Sequence, residues 1–133
     1  MDIRRCQYRV SAKAIIEDES GKILLIQEEN GLWELPGGGI EYREDPKKGL
    51  KREVTEEIGV GISQLSDNPD YVWTQDRRKE KGYYALYLGY KASIESFDIK
   101  CKSGECVDWA FYSKNEFRKI KIHPILTNFV KIY

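Results

Sequence analysis

The chain has 133 residues, of which 41% are hydrophobic and 12% aromatic. That length fits one domain over residues 1–133, able to bury a core without disulfide staples, and the composition excludes a disordered chain. Lysine plus arginine number 22 and aspartate plus glutamate 22, so the net charge is zero and no general attraction to nucleic acid or to an anionic membrane is expected.

No apolar run approaches the length of a membrane-spanning helix, and the charged start, Met1 to Val10, lacks a signal-peptide core. A cytoplasmic protein is expected. Cys6, Cys101 and Cys106 form an odd set with no CxxC pair, which reads as reduced free thiols in a reducing compartment. A zinc site would have to combine these scattered cysteines with the single His123, and zinc sites usually draw on tight pairs.

In chain order, Tyr8 to Glu17 reads as a strand around Ala14-Ile15-Ile16. Asp18-Glu19-Ser20-Gly21 reads as a turn and Lys22 to Gln27 as a second strand, so the two predict a hairpin. Leu32 to Leu35 is a short strand stopped by Pro36-Gly37-Gly38-Gly39. A helix follows, with Asp45 as its cap, Pro46 at its first position and Gly59 at its stop. Leu50, Val54 and Ile58 give it an apolar stripe. Tyr71 to Thr74 and Tyr83 to Tyr90 predict aromatic-rich strands joined by a charged loop, Asp76 to Gly82. Val107 to Tyr112 is another strand. Pro124 to Ile132 predicts a C-terminal helix with Ile125, Phe129 and Ile132 facing the core. Interspersed strands and helices predict an α+β fold, a mixed β-sheet sandwiched between helices.

The chemistry concentrates between Leu35 and Val60. At about 100° per residue, with Leu50 at zero, Val54 and Ile58 fall near 40° and 80°, whereas Glu57, Glu53 and Glu56 fall near 340°, 300° and 240°. Three carboxylates thus share an arc bordering the apolar stripe. Glu53 and Glu57 are a like-charge i, i+4 pair, costing about 0.2–0.5 kcal/mol on an open surface and more beside a core. A divalent cation removes that cost, and Mg²⁺ takes carboxylate oxygens together with substrate phosphates. Arg52 heads the acidic run and can hold one glutamate in position. Gly37-Gly38-Gly39 lets backbone approach a ligand closely, or is merely a tight turn. It is not a Walker loop, because no Gly-Lys-Ser/Thr follows.

The spacing reads Gly38, five residues, Glu44, seven residues, Arg52-Glu53-Val54, one residue, Glu56-Glu57, one residue, Gly59-Val60. Every specified position matches the Nudix box, and the chain resembles the Nudix hydrolases. The approach through Leu24-Leu25-Ile26 and Trp33-Glu34-Leu35-Pro36-Gly37-Gly38 is similar to the family's, as is Glu105 to Phe117 with Trp109. Arg43, where a glycine often stands, and Gly49-Leu50, in place of an alanine pair, depart from the pattern without touching a metal ligand.

The resemblance implies the Nudix fold and a Mg²⁺-dependent hydrolase, with Mn²⁺ able to substitute, acting on a nucleoside diphosphate linked to another moiety. It implies Glu56 and Glu57 as principal metal ligands. Glu53 is implied as a ligand or an activator of water, and Arg52 as the residue that orients a glutamate. A carbonyl of Gly37 or Gly38 is implied to complete the coordination, and Glu44 to support the site or bind a metal through water. The catalytic set is therefore Glu53, Arg52 and Glu57. Family members often recruit a later acidic residue, for which Glu105 is the candidate ahead of Glu95 and Asp98.

Substrate contacts are expected from Gly38, Gly39, Glu44, Trp33 and Arg77. Trp33, Trp73, Tyr83 and Tyr84 are base-stacking residues or ordinary sheet core. Arg77, Arg78 and Lys79 meet distal phosphates or form a charged loop. His123, with no evident partner, reads as a helix-start residue. The stretch Thr74 to Arg78 lacks the secondary signatures of ADP-ribose-type and dinucleoside-polyphosphate-type members. By elimination the chain most resembles nucleoside triphosphate pyrophosphohydrolases, including those that sanitise oxidised nucleotides. A hydrolase of another such substrate (a nucleotide sugar, ADP-ribose, a dinucleoside polyphosphate or an RNA 5′ end) and a non-catalytic nucleotide-sensing module are the alternatives. The expected partner is a small nucleotide, with no membrane and no DNA, and the state is a monomer or homodimer.

Overall fold

The computed structural model describes residue 2, residues 7–101 and residues 104–133. β1 (Tyr8–Ile16), β2 (Ile23–Gln27), β3 (Trp33–Glu34) and β4 (Gly37–Gly39) precede the helix α1 (Pro46–Ile58). β5 (Ile62–Leu65), β6 (Tyr71–Arg77), the single turn α2 (Arg78–Lys81), β7 (Tyr83–Ile94) and β8 (Asp108–Tyr112) follow. 3-10 segments at Lys114–Lys119 and Pro124–Leu126 and a final turn α3 (Phe129–Ile132) close the chain. This is the expected α+β architecture, with its strands in two sheets. Five strands form one, in which β4, β1 and β7 lie side by side and β5 and β6 both pair with β7; β3, β2 and β8 form the other. Among the described residues no helix is long and apolar enough to cross a membrane.

The turn after β1 forms as its composition dictates. Asp18 Oδ1 accepts the backbone N–H groups of Ser20 and Lys22, both at 2.9 Å. The expected hairpin does not. β1 and β2 share only an isolated bridge, Glu17 to Ile23. β1 already has β4 on one side and β7, in parallel, on the other, so no edge is left for β2, which enters the second sheet. Alternate residues of β1 feed two cores. Ala12, Ala14 and Ile16 pack with Leu50, Val54 and Ile58 of α1. Ile15 packs with Trp73, Tyr87, Leu126 and Phe129.

Three further expectations are corrected. Gly37–Gly39 is a strand rather than only a turn, with Lys13 opposite Gly37 and Ser11 opposite Gly39. The charged stretch after Gln75 continues β6 to Arg77 before one helical turn. Pro124 to Ile132 is two short pieces, not one helix. Asn128 between them is tied to β6 through its Nδ2 donating to Thr74 O at 2.8 Å. Ile125 and Phe129 are buried as expected, but Ile132 is 49% exposed.

Cys101 and Cys106 are joined as a disulfide, against the free-thiol expectation; five positions apart, they close the loop that carries Glu105. Cys6 lies outside the described residues.

Candidate active site

α1 begins where the sequence says it should. Asp45 Oδ1 accepts the N–H groups of Lys47 and Lys48 at 2.8 and 3.2 Å, and Gly59 takes the left-handed stop at φ 70°. Because Leu50, Val54 and Ile58 are fully buried, the helix is fixed in rotation. Glu57 and Glu53 then face the β4 backbone. Gly37 N–H donates to Glu57 Oε1 at 2.7 Å, and a Cβ at Gly38 would lie 2.7 Å from the Glu53 carboxyl carbon. Gly37 itself needs glycine, at φ 127°. The glycine strand is thus a close backbone wall against two carboxylates.

Arg52 organises the helix face. Its Nε and Nη2 bond both oxygens of Glu44 at 3.0 Å, and Nη1 bonds Glu53 Oε1 at 3.0 Å and approaches Glu56 Oε2 at 3.5 Å. Such a two-pronged contact adds geometric restraint as well as energy. Glu44 also accepts Glu41 N–H at 3.0 Å. Its oxygens are therefore engaged, and it positions Arg52 instead of lining the pocket. Gly49 makes room for this: a Cβ there would lie 2.7 Å from Glu44 Oε1. Glu56 points outward, its side chain 59% exposed.

Glu53, Glu57 and Gly37 to Gly39 form one wall of a cleft of about 630 Å³, a size suited to a small ligand. Glu105, on its disulfide-closed loop, lines the same cleft. Glu95 lies against Gly61 and Asp98 pairs with Lys100, so neither reaches it. Burial is the main force on the Glu57 carboxyl and pushes it up to about 8, against the opposing pull of Lys13 and the Gly37 N–H. Burial also works against charge on Lys13, but Glu34 and Glu57 outweigh it and hold the ammonium above its ordinary range.

The substrate-contact expectations divide. Gly38, Gly39, Arg77 and Tyr83 line the cleft. Trp33 does not. It is buried edge-on against Tyr112 at 5.1 Å, because its strand lies within the second sheet. Trp73 is likewise core, stacked on Tyr87 with Nε1 donating to Ile125 O at 2.9 Å. Tyr84 packs on Tyr8 and under the Arg78 guanidinium. Arg78 pairs with Asp76, and neither it nor Lys79 lines the cleft. His123 starts the 3-10 turn, as expected, its Nδ1 accepting Ile125 N–H at 3.2 Å, and also lines the cleft.

Sequence reasoning missed Ser11, Lys13, Glu28, Glu34 and Tyr87 as cleft residues. Lys13 Nζ bonds Glu34 and the Gly37 carbonyl, the latter at 3.2 Å. A signal existed: Ser11 and Lys13 are polar at alternate positions of a strand that otherwise reads as buried.

The donor set fits a hard divalent ion. Glu53 and Glu57 offer carboxylate oxygens one helical turn apart. The closeness of Gly38 leaves no side chain between backbone and carboxylates, and the burial that works against charge on Glu57 would be offset by a cation.

The NUDIX domain family matches residues 7–131, and the chain belongs to that family. It thereby falls among hydrolases acting on pyrophosphate bonds, which generally use a divalent metal. It is 32% identical over 126 residues to an RNA pyrophosphohydrolase of Dinoroseobacter shibae, covering 81% of this chain and 78% of the relative. It is 32% identical over 94 residues to the nucleoside triphosphatase NudI of Salmonella arizonae, covering 65% of each. Among the first curated relatives the matched part spans between 36% and 78% of the relative's length. A crystal structure of a MutT NUDIX hydrolase from Burkholderia pseudomallei shares the fold, with a TM-score of 0.74 at 23% identity and 95% of both chains covered.

Proposed function

We propose that this protein is a Mg²⁺-dependent pyrophosphohydrolase of nucleoside triphosphates, releasing nucleoside monophosphate and pyrophosphate. The observation that carries the reading is the pair Glu53 and Glu57 held against the glycine strand in a cleft of nucleotide size. In this reading Glu57 and the Gly37 carbonyl hold the ion, with Glu56 joining by side-chain rotation and Glu105 from its loop. When bound, the ion neutralises phosphate oxygens and lowers the pKa of a water. Glu53, oriented by Arg52, serves as a ligand of the ion or, in place of that, as the acceptor of the attacking water's proton. Lys13 offers its ammonium to a phosphate oxygen from the floor of the cleft.

The test is pyrophosphate and phosphate release from a nucleotide panel with and without Mg²⁺, with Glu57→Gln as control. Metal-dependent release of pyrophosphate that the variant loses supports the reading. No turnover by folded protein that still binds nucleotide refutes it and leaves a sensing module. A second reading, removal of pyrophosphate from RNA 5′ ends, draws on the relative carrying that name. Zero net charge weighs against it, since RNA affinity leans on phosphate neutralisation. Triphosphorylated RNA in the same panel decides between the two.

A further inference from the structure

The cleft also holds charged groups that the hydrolytic reading does not use. Arg77, at the end of β6, is 93% withdrawn from water, being 7% exposed, and lines the cleft. Among the described residues no carboxylate pairs with its guanidinium. A buried cation with no directly bonded carboxylate is costly, so a guanidinium in that state on a cavity wall marks a place for a ligand. Tyr83 lies directly across the sheet from it, and Tyr87 stands further along the same face.

Glu28, Glu34 and His123 face the same space, their ligand atoms within 4.8 Å of one another. This trio does not suit a metal ion. His123 Nδ1 is already an acceptor for Ile125 N–H, which puts the proton of the neutral ring on Nε2, and Glu34 is neutralised by Lys13. The trio suits hydrogen bonding instead. Burial and the neighbouring Glu34 push the Glu28 carboxyl up to about 7, so it gains from a ligand that donates N–H groups.

Charge decides the class of ligand. Arg77 and Lys81 share the lining with Glu28, Glu34 and Glu80, so this group of residues exerts little net pull on phosphate. A neutral planar group with hydrogen-bonding edges fits better. A guanidinium fork calls for two adjacent acceptors, and a carboxylate calls for donors. Guanine offers O6 and N7 on one edge and N1–H and N2–H on the next. Adenine places its N6 amino group, a donor, beside N7 and so opposes the fork. Pyrimidines have no N7.

We propose that the part of the cleft lined by Arg77 and Glu28 is a nucleobase site selective for guanine-type bases, with Arg77 bonding O6 and N7 and Glu28, backed by Glu34, receiving N1–H and N2–H. The inference rests on the reading of the protein as a nucleotide hydrolase.

The test combines calorimetric binding of GMP, IMP and AMP with kcat/KM for GTP, ITP and ATP in Mg²⁺, in the wild type and in Arg77→Lys and Glu28→Gln. Guanine is expected to be favoured over adenine by roughly ten-fold or more, the size of one good bidentate contact. IMP, lacking the 2-amino group, falls between. Arg77→Lys removes most of the preference, and Glu28→Gln narrows the gap between GMP and IMP. Equal binding of GMP and AMP, or a preference untouched by both variants, overturns the proposal. So does a loss in Arg77→Lys that is the same for all bases and for pyrophosphate, which would make Arg77 a phosphate ligand. Turnover without base preference refutes this inference and leaves the hydrolase standing; base preference without turnover does the reverse. Thermal melts show which variants fold, and if Arg77→Lys does not, Glu28→Gln carries the test.

Discussion

The carboxyl carbon of Glu53 sits so close to Gly38 that a methyl group there would lie only 2.7 Å away. Two segments fifteen positions apart are thus in contact at the point where the proposed metal would bind. Gly38→Ala should push the Glu53 carboxylate out of place while leaving the cores of the protein untouched. A displacement of about 1 Å can cost on the order of 100-fold in rate. Expected is a large fall in kcat/KM with little change in melting temperature; unchanged turnover would count against a reacting role for Glu53.

Arg52 holds Glu44 with two parallel bonds and Glu53 with a third. Lysine keeps the charge but not the fork. Arg52→Lys should therefore lower kcat by about ten-fold or more while costing little stability, since the guanidinium is partly exposed and such pairs contribute about 0–1 kcal/mol. Parallel activity and melting measurements check this.

Stability should depend on pH in a direction opposite to that of a protein held by ordinary salt bridges. Glu57 and Glu28 are raised in the folded state to about 8 and about 7, from an ordinary value of 4.5. As pH rises above that value the unfolded chain releases these protons and the folded chain keeps them. The folded state is then progressively penalised until its own carboxyls ionise. His123, lowered by burial, works the other way below its ordinary 6.5. Metal-free protein should therefore melt at lower temperature as pH rises from about 6.5 to 8. Mg²⁺ should flatten that fall, because it binds the ionised carboxylates. A melt that rises over this interval without metal would show that Glu57 is already ionised.

Arg43 is the one described non-glycine residue with positive φ, at 65°. It occupies the position where the Nudix pattern often has glycine. Left-handed backbone costs a residue with a side chain about 1–2 kcal/mol, and part of that returns as the greater freedom of glycine in the unfolded chain. Arg43→Gly should stabilise the protein by about 0.5–1 kcal/mol in denaturant titration.

The Cys101–Cys106 bridge predicts that neither thiol is alkylated until the protein is reduced. For so short a loop, reduction should cost about 2 kcal/mol at most. Peptide mapping under non-reducing conditions and a melt with reductant test both points.

The glutamate-bearing helix was legible in the sequence because its signals are local. Asp45, Pro46 and Gly59 mark its ends, Leu50, Val54 and Ile58 fix its rotation, and the glutamates follow from that rotation. The rest of the cleft was not, because it is assembled across strands distant in sequence. Lys13 meets Glu34 and Gly37, 21 and 24 positions away, and nothing in its own segment says so. Trp33 misled for the same reason. An aromatic strand residue can face a ligand or a core, and only the partner sheet decides. The hairpin failed because turn chemistry specifies a reversal of the chain but not which neighbours the strands then choose.

The parallel pairing of β1 with β7 sets Tyr8 beside Tyr84 and Ile16 beside Ala92, with the glutamate-bearing helix α1 in the intervening chain. Closing so long a loop must precede any reward from the pairing, and such non-local topologies fold slowly. Tyr83 and Tyr87 reach the cleft, and Arg77 gains its strand partner, only once β7 is laid beside β1. Residues 1 to about 80 emerging from a ribosome therefore carry the whole glutamate motif without a working cleft, and hydrolytic competence should appear late, in step with the final long-range closure rather than with helix formation.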